Sequence, residues 1–248
     1  MTYSGLIKVW ATVLAAILAA TFLSMTVSTT GAGAQEGDCS GNVVLDAGHG
    51  GTDLGAVNTR YGLKEKDQTL DIATDLKTLL EGDGCTVYMT RTEDQNLTNT
   101  QRANKANSFK AKDPGAYVLV SIHLNGSTDE TVDYTTTLFG KWRKDKELAY
   151  AVFGDNVNAP KIDPPTYGLR TLSAVNGGGT TWGTISTKTP YSFASGVLLK
   201  SNMPATIAET VFITNDREGQ LLSNGTGARQ QQIEEALRLG IEAYLADH

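Results

Sequence analysis

Val43-Val44-Leu45-Asp46-Ala47-Gly48-His49-Gly50-Gly51 is the stretch on which the fold turns. A short apolar run that ends in glycines reads as a buried strand entering a loop. The pattern recurs at Tyr117–Ile122 (YVLVSI), which runs into His123-Leu124-Asn125-Gly126. Between the two, Ile72, Leu76, Leu79 and Leu80 fall at helical spacing, and Gly82–Gly84 closes that helix. Cys85–Thr90 (CTVYMT) alternates as a strand, and a polar helix follows with Arg102, Ala103, Ala106 and Phe109 on one face. Strand, helix, strand, helix, strand within about 80 residues implies parallel pairing, with the helices as crossovers. The expected class is α/β, in a single domain.

Further along, Thr135–Phe139 reads as a strand and Asp145–Val157 as a helix through Leu148, Val152 and Phe153. Residues 158–195 hold four of the six prolines and Gly177-Gly178-Gly179, and show no period. Gly196–Lys200 and Ala205–Thr210 are expected as short strands. The closing helix carries Ile233, Leu237, Gly240, Ile241, Tyr244 and Leu245 in one apolar stripe.

The first residues are a separate object. Val9–Val27 is free of charge and leads to Ala32-Gly33-Ala34, an A-x-A cleavage pattern. Residues 1–34 are expected to be a signal peptide and 35–40 a polar linker before a domain over 41–248. An uncleaved anchor through residues 9–27 is the alternative, since 19 residues also span a bilayer. Either way the domain lies outside the cytoplasm. Cysteine usage agrees: there are two, Cys39 and Cys85, an even pair in an oxidising compartment. Cys39 precedes the first strand and Cys85 opens the second, so parallel neighbours would place both at one sheet edge, and a disulfide is expected. With 248 residues, a net charge of −6 and a pI near 5.1, the chain has the mass for a sizeable core. It lacks the basic face of a nucleic-acid binder.

Three histidines exist, and His248 is the terminal residue. His49 and His123 each sit at the end of a buried parallel strand, the edge where ligands bind in open α/β sheets. Two imidazoles and a carboxylate make a catalytic zinc site with one position open. Glu65, at the start of the first crossover helix, competes for the carboxylate role with Asp46 and Asp53, and spacing does not choose among them. Glu209 ends the apolar segment Ala205–Ala208, so it too reaches that edge, with the chemistry to deprotonate a water. No HExxH, GxSxG or P-loop is present, and the glycines lack the dinucleotide order.

These residues resemble a known family. The segments 43–51, Gly62-Leu63-Lys64-Glu65-Lys66-Asp67 and Val120–Asn125 are similar to zinc-dependent N-acetylmuramoyl-L-alanine amidases of the type 3 catalytic domain. Met89-Thr90-Arg91, Leu97–Asn107, Asn202-Met203-Pro204-Ala205 and Phe212-Ile213-Thr214-Asn215 follow in the same order. The resemblance implies a twisted, mostly parallel sheet with helices on both faces. It implies one zinc held by His49, Glu65 and His123, with Glu209 as the catalytic carboxylate. It also implies hydrolysis of the amide between N-acetylmuramic acid and L-alanine in peptidoglycan. Glu209-Thr210-Val211-Phe212 departs from the family's Glu-Leu-Gly-Phe. The unaligned insertion 158–195 is expected either to flank or cover the cleft or to be a surface excursion; in the first case a Gly-Ser link in its place is expected to alter wall cleavage more than stability. The expected protein is a secreted monomer of the cell wall or periplasm, without stable membrane association after cleavage. The alternatives are a peptidoglycan-binding module that keeps the zinc cleft but turns over little, and a zinc peptidase acting on the stem peptide.

Overall fold

The computed structural model describes residues 39–112, 115–140, 142–156, 158, 165–172 and 186–248. The expected signal peptide and most of the linker lie outside the described residues, as does much of 158–195. The first strand is β1 (Asn42–Ala47), as its apolar run requires. A two-stranded hairpin, β2 (Val57–Asn58) and β3 (Leu63–Lys64), leads into α1 (Glu65–Gly82). Then come β4 (Thr86–Met89), α2 (Asn99–Lys112) and β5 (Tyr117–Asn125). Next are β6 (Tyr134–Phe139), α3 (Arg143–Phe153), and the short strands β7 (Ser186–Thr187) and β8 (Tyr191–Ser192). The chain continues through α4 (Gly196–Lys200), β9 (Ala205–Phe212), α5 (Asp216–Ser223) and α6 (Ala228–Ala246).

The sheet runs β4-β1-β5-β9-β6-β7, with β8 also on β6. β4, β1, β5 and β9 are parallel, and β6 joins β9 antiparallel. Alternation along the strands sends Val43, Leu45, Val120 and Ile122 to one face, where Ile72, Leu76 and Leu80 of α1, Leu148 of α3 and Ile233 and Leu237 of α6 bury them. Val44, Leu119 and Ile207 go to the other face, against Ala106 of α2 and Val197 and Leu198 of α4. Helices therefore cover both faces. Gly240 lets α6 cross α3 closely: a Cβ there would stand 2.7 Å from Val152 Cα.

Two local expectations are corrected. Gly196–Lys200 is a helix, not a strand. Ser195 caps it by accepting from the Val197 N–H, and the neighbours Val197 and Leu198 are both buried, which alternation does not produce. A run of three apolar residues has no period of its own, so its surroundings decided. Leu79, placed on the buried stripe of α1, is 39% exposed. Cys39 and Cys85 are disulfide-bonded, with Cα atoms 4.9 Å apart. Among the described residues, no helix is long and apolar enough to cross a membrane.

Candidate active site

His49 follows β1, His123 lies near the end of β5, and Glu65 is the first residue of α1. His49 Nε2 and His123 Nδ1 stand 3.1 and 3.0 Å from the same Glu65 oxygen, Oε1. The ligand atoms of the three residues all lie within 4.8 Å of one another. Backbone amides aim the carboxylate: Leu124 N–H donates to Oε1 at 3.0 Å and Ala56 N–H to Oε2 at 2.8 Å. Ala56, just before β2, supplies that second amide, and the Glu65 N–H returns a bond to Ala56 O. Glu65 is only 4% exposed. Burial raises its pKa, but the hydrogen bonds to His123 and His49 outweigh burial and hold it at about 2. For both imidazoles burial works against the charged form, but the surrounding carboxylates, Glu65 first, outweigh it, so both are shifted upward.

The structure resolves the choice among carboxylates by placement. Asp46 sits fully buried in β1 on the α2 side. It is paired with Arg102 at 2.8 Å, accepts from Ser121 Oγ at 2.6 Å, and also accepts from Thr90 Oγ1. Asp53 touches the far nitrogen of His49, Nδ1, at 2.9 Å. That contact leaves Nε2 facing Glu65 and His123, the orientation an outer carboxylate imposes on a ligating histidine.

Sequence reasoning gave no role to the device that holds His49. Its backbone is left-handed, φ 59°, which a non-glycine residue adopts only under constraint. Two arginines supply the constraint. Arg91 donates to Ala47 O and Gly48 O, both at 2.9 Å, and Arg102 donates to Ala47 O and His49 O, both at 2.6 Å. Three successive carbonyls are thus pinned by buried guanidinium groups. Gly48 is the close-approach residue of this turn, since a Cβ would meet the His123 ring at 2.4 Å. The signal was present in Met89-Thr90-Arg91 and Leu97–Asn107, which carry these arginines.

Glu209 lies in β9 in direct register with His123 of β5 and Thr136 of β6. Residues paired across a sheet share a face, so Glu209 stands one strand away from the His123 side chain. Burial raises its pKa and Glu65 adds to the rise, against the opposing pull of His123 and His49. The Thr210-Val211 departure is absorbed without ending the strand, with a register shift between His123 and Asn125 and a bond from Thr210 Oγ1 to His123 O at 3.2 Å.

Residues 43–243 match the N-acetylmuramoyl-L-alanine amidase family, Amidase_3. The chain belongs to this family. It is 30% identical over 230 residues to the N-acetylmuramoyl-L-alanine amidase AmiC of Escherichia coli O6:H1, a match covering 83% of this chain and 53% of that protein. It therefore spans about half the length of that relative. Among solved structures it is similar to the N-acetylmuramoyl-L-alanine amidase from Clostridium difficile 630, with a TM-score of 0.66 and 29% identity over 84% of this chain and 98% of that one. It is also similar to the amidase AmiC2 of Nostoc punctiforme, with a TM-score of 0.64 and 27% identity over 83% and 97% of the two chains. The mixed, mostly parallel sheet flanked by helices is the fold of these amidases.

Proposed function

We propose that this chain is an exported zinc-dependent peptidoglycan hydrolase that cleaves the amide between N-acetylmuramic acid and L-alanine. The observation that carries the proposal is the convergence of His49, Glu65 and His123 at one sheet edge, with Glu209 in register on the next strand, in a member of this family. The three residues fit zinc by donor type, two imidazole nitrogens and a carboxylate oxygen, with nitrogen–oxygen separations of 3.0 and 3.1 Å and all donor atoms within 4.8 Å of one another. A tetrahedral ion with ligands at about 2.0–2.2 Å asks for separations of roughly 3.4 Å, so the two imidazoles would draw in around the ion. Zinc bound there supplies a Lewis acid for the scissile carbonyl and lowers the pKa of water.

The chain's own residues do the rest. Glu65 and the amides behind it orient the two histidines. Glu209 takes the proton of the attacking water and returns it to the amine nitrogen, which must leave protonated. A half-buried carboxyl with an upward-shifted pKa suits both directions of that transfer. The substrate is peptidoglycan rather than nucleic acid, and the chain acts as a monomer in the cell wall or periplasm. Residues 1–34 serve as a cleaved signal peptide, with residues 9–27 as the anchor if cleavage fails.

Digestion of purified walls, followed by analysis of the new ends, tests this reading. Lactyl-ended glycan with L-alanine amino termini is the expected result. Amino termini inside the stem would make it a peptidase, and unchanged walls would make it a binding module.

A further inference from the structure

The row of residues that contains His123 and Glu209 continues across β6. Thr136 pairs with Glu209, and the parallel β6–β7 ladder pairs Tyr134 with Ser186 and Thr135 with Thr187. One more step along the ladder brings Lys188 level with Thr136, and the Lys188 N–H donates to Thr135 O at 2.9 Å. Residues level in a sheet point to the same face, so His123, Glu209, Thr136 and Lys188 share one. Two strand spacings separate Lys188 from Glu209, about 10 Å.

Two features of this row have no use in the fold. Thr136 Oγ1 is buried and has no hydrogen-bond partner among the described residues, a costly state for a hydroxyl. The Lys188 ammonium is held over two rings, 5.3 Å from the centre of Tyr134 and 5.0 Å from that of Tyr191. Those rings attract the cation without neutralising it. Tyr134 is itself fixed edge-on against Phe212, with ring centres 4.6 Å apart, and Tyr191 is 37% exposed. A positioned cation with no ion pair among the described residues, one strand beyond Thr136 and Glu209 in an acidic protein, is suited to an anion.

The geometry points to Lys188, framed by the Tyr134 and Tyr191 rings, as the subsite that binds a carboxylate of the stem peptide. The carboxylate concerned is on the residue after the alanine whose amide is cut. The reach agrees. Two residues of extended chain span roughly 7 Å, which carries that carboxylate from Glu209 to within the length of a lysine side chain. Neutral stems, with a carboxamide at that position, would miss the charge-assisted contact. The inference rests on the amidase reading for the substrate, but its test does not need turnover.

The test is the affinity of the zinc-loaded protein for two probes that differ only at this group, N-acetylmuramyl-L-alanyl-D-glutamate and N-acetylmuramyl-L-alanyl-D-isoglutamine, measured by calorimetry. The wild type should favour the free acid by about tenfold, the change that 1.4 kcal/mol makes. Lys188→Ala should erase the preference by weakening the acid alone, and Lys188→Arg should keep it. Lys188 is exposed, so the unfolding midpoint should not move. Equal affinity for the two probes, no binding of either, or a preference that survives in Lys188→Ala overturns the subsite. A wild type that shows the preference yet releases no L-alanine amino termini from walls leaves the subsite standing and overturns the amidase reading instead.

Discussion

Glu65 and Glu209 reach one sheet edge from different elements, and their surroundings drive them apart. Glu65 takes two imidazoles and two backbone amides and stays ionised, whereas Glu209 sits in register with His123 and is pushed upward by burial. On the proposed function, two carboxyls separated in this way would divide the labour of the site, one as ligand and one as proton carrier. Glu209→Gln keeps size and shape but cannot take the proton. Zinc per chain and the melting midpoint should then match the wild type, while release of L-alanine ends falls by about 10²–10⁴-fold. His49→Ala should lose zinc and activity together, because two remaining ligands rarely hold the ion. A Glu209→Gln protein that cuts walls at the normal rate would falsify the assignment of the base.

Elements make their own contributions. The disulfide ties the chain just before β1 to the entry of β4, closing a separation of 46 residues. On chain entropy a loop of that size is worth about 4 kcal/mol. The double variant Cys39→Ser/Cys85→Ser should lose about that much in denaturant unfolding, and reductant should have no further effect on it. Helices α1 and α6 carry a pH-dependent strain between them. Glu234 of α6 is buried opposite Asp75 and Asp71 of α1, and burial first, then those charges, raise its carboxyl to about 7. A folded-state pKa above the unfolded one means stability that is complete below about pH 4.5 and declines as pH rises through about 7. Glu234→Gln removes the group that must ionise. It should raise the melting midpoint by a few degrees at pH 8 and leave it unchanged at pH 4. A uniform shift at both values would show that packing, not ionisation, is responsible.

At the scale of the whole molecule, the stretch 158–195 is more than an excursion. Leu169 and Leu172 are buried in the main core, Leu169 N–H donates to Val152 O at 3.0 Å, and Arg170 donates to Gly154 O at 3.0 Å. Its far end supplies β7 and β8, which pair with β6 next to the strand that carries Glu209. Replacing all of it with a Gly-Ser link was expected to alter wall cleavage more than stability. With core side chains inside it, such a replacement should lower both. Leu169→Ala isolates the packing part and should cost about 2–5 kcal/mol in equilibrium unfolding, with zinc content unchanged. A loss below about 1 kcal/mol would mean that the site is not packed as part of the core.

The amino-acid sequence by itself determined the parallel half of the sheet and the identities at its edge. Runs such as Val43–Leu45 and Tyr117–Ile122, apolar and closed by a glycine loop, are driven into the core by water alone. Two histidines at strand ends and a family pattern around Glu65 pointed to the three residues that the fold brings together at one edge. Tertiary structure decided what depends on residues distant in the chain. It made Gly196–Lys200 a helix, because packing beneath α2 outweighs a three-residue propensity. It removed Asp46 from the ligand set by giving it Arg102, and it set Arg91 and Arg102 on the carbonyls that hold His49 in a left-handed turn. It also brought Lys188 level with Glu209, 21 residues away in sequence, through pairing that only β6 makes possible. Hydrophobic period is a local property that a sequence displays directly. The partner of a buried charge and the neighbour across a sheet are set only when the chain closes on itself.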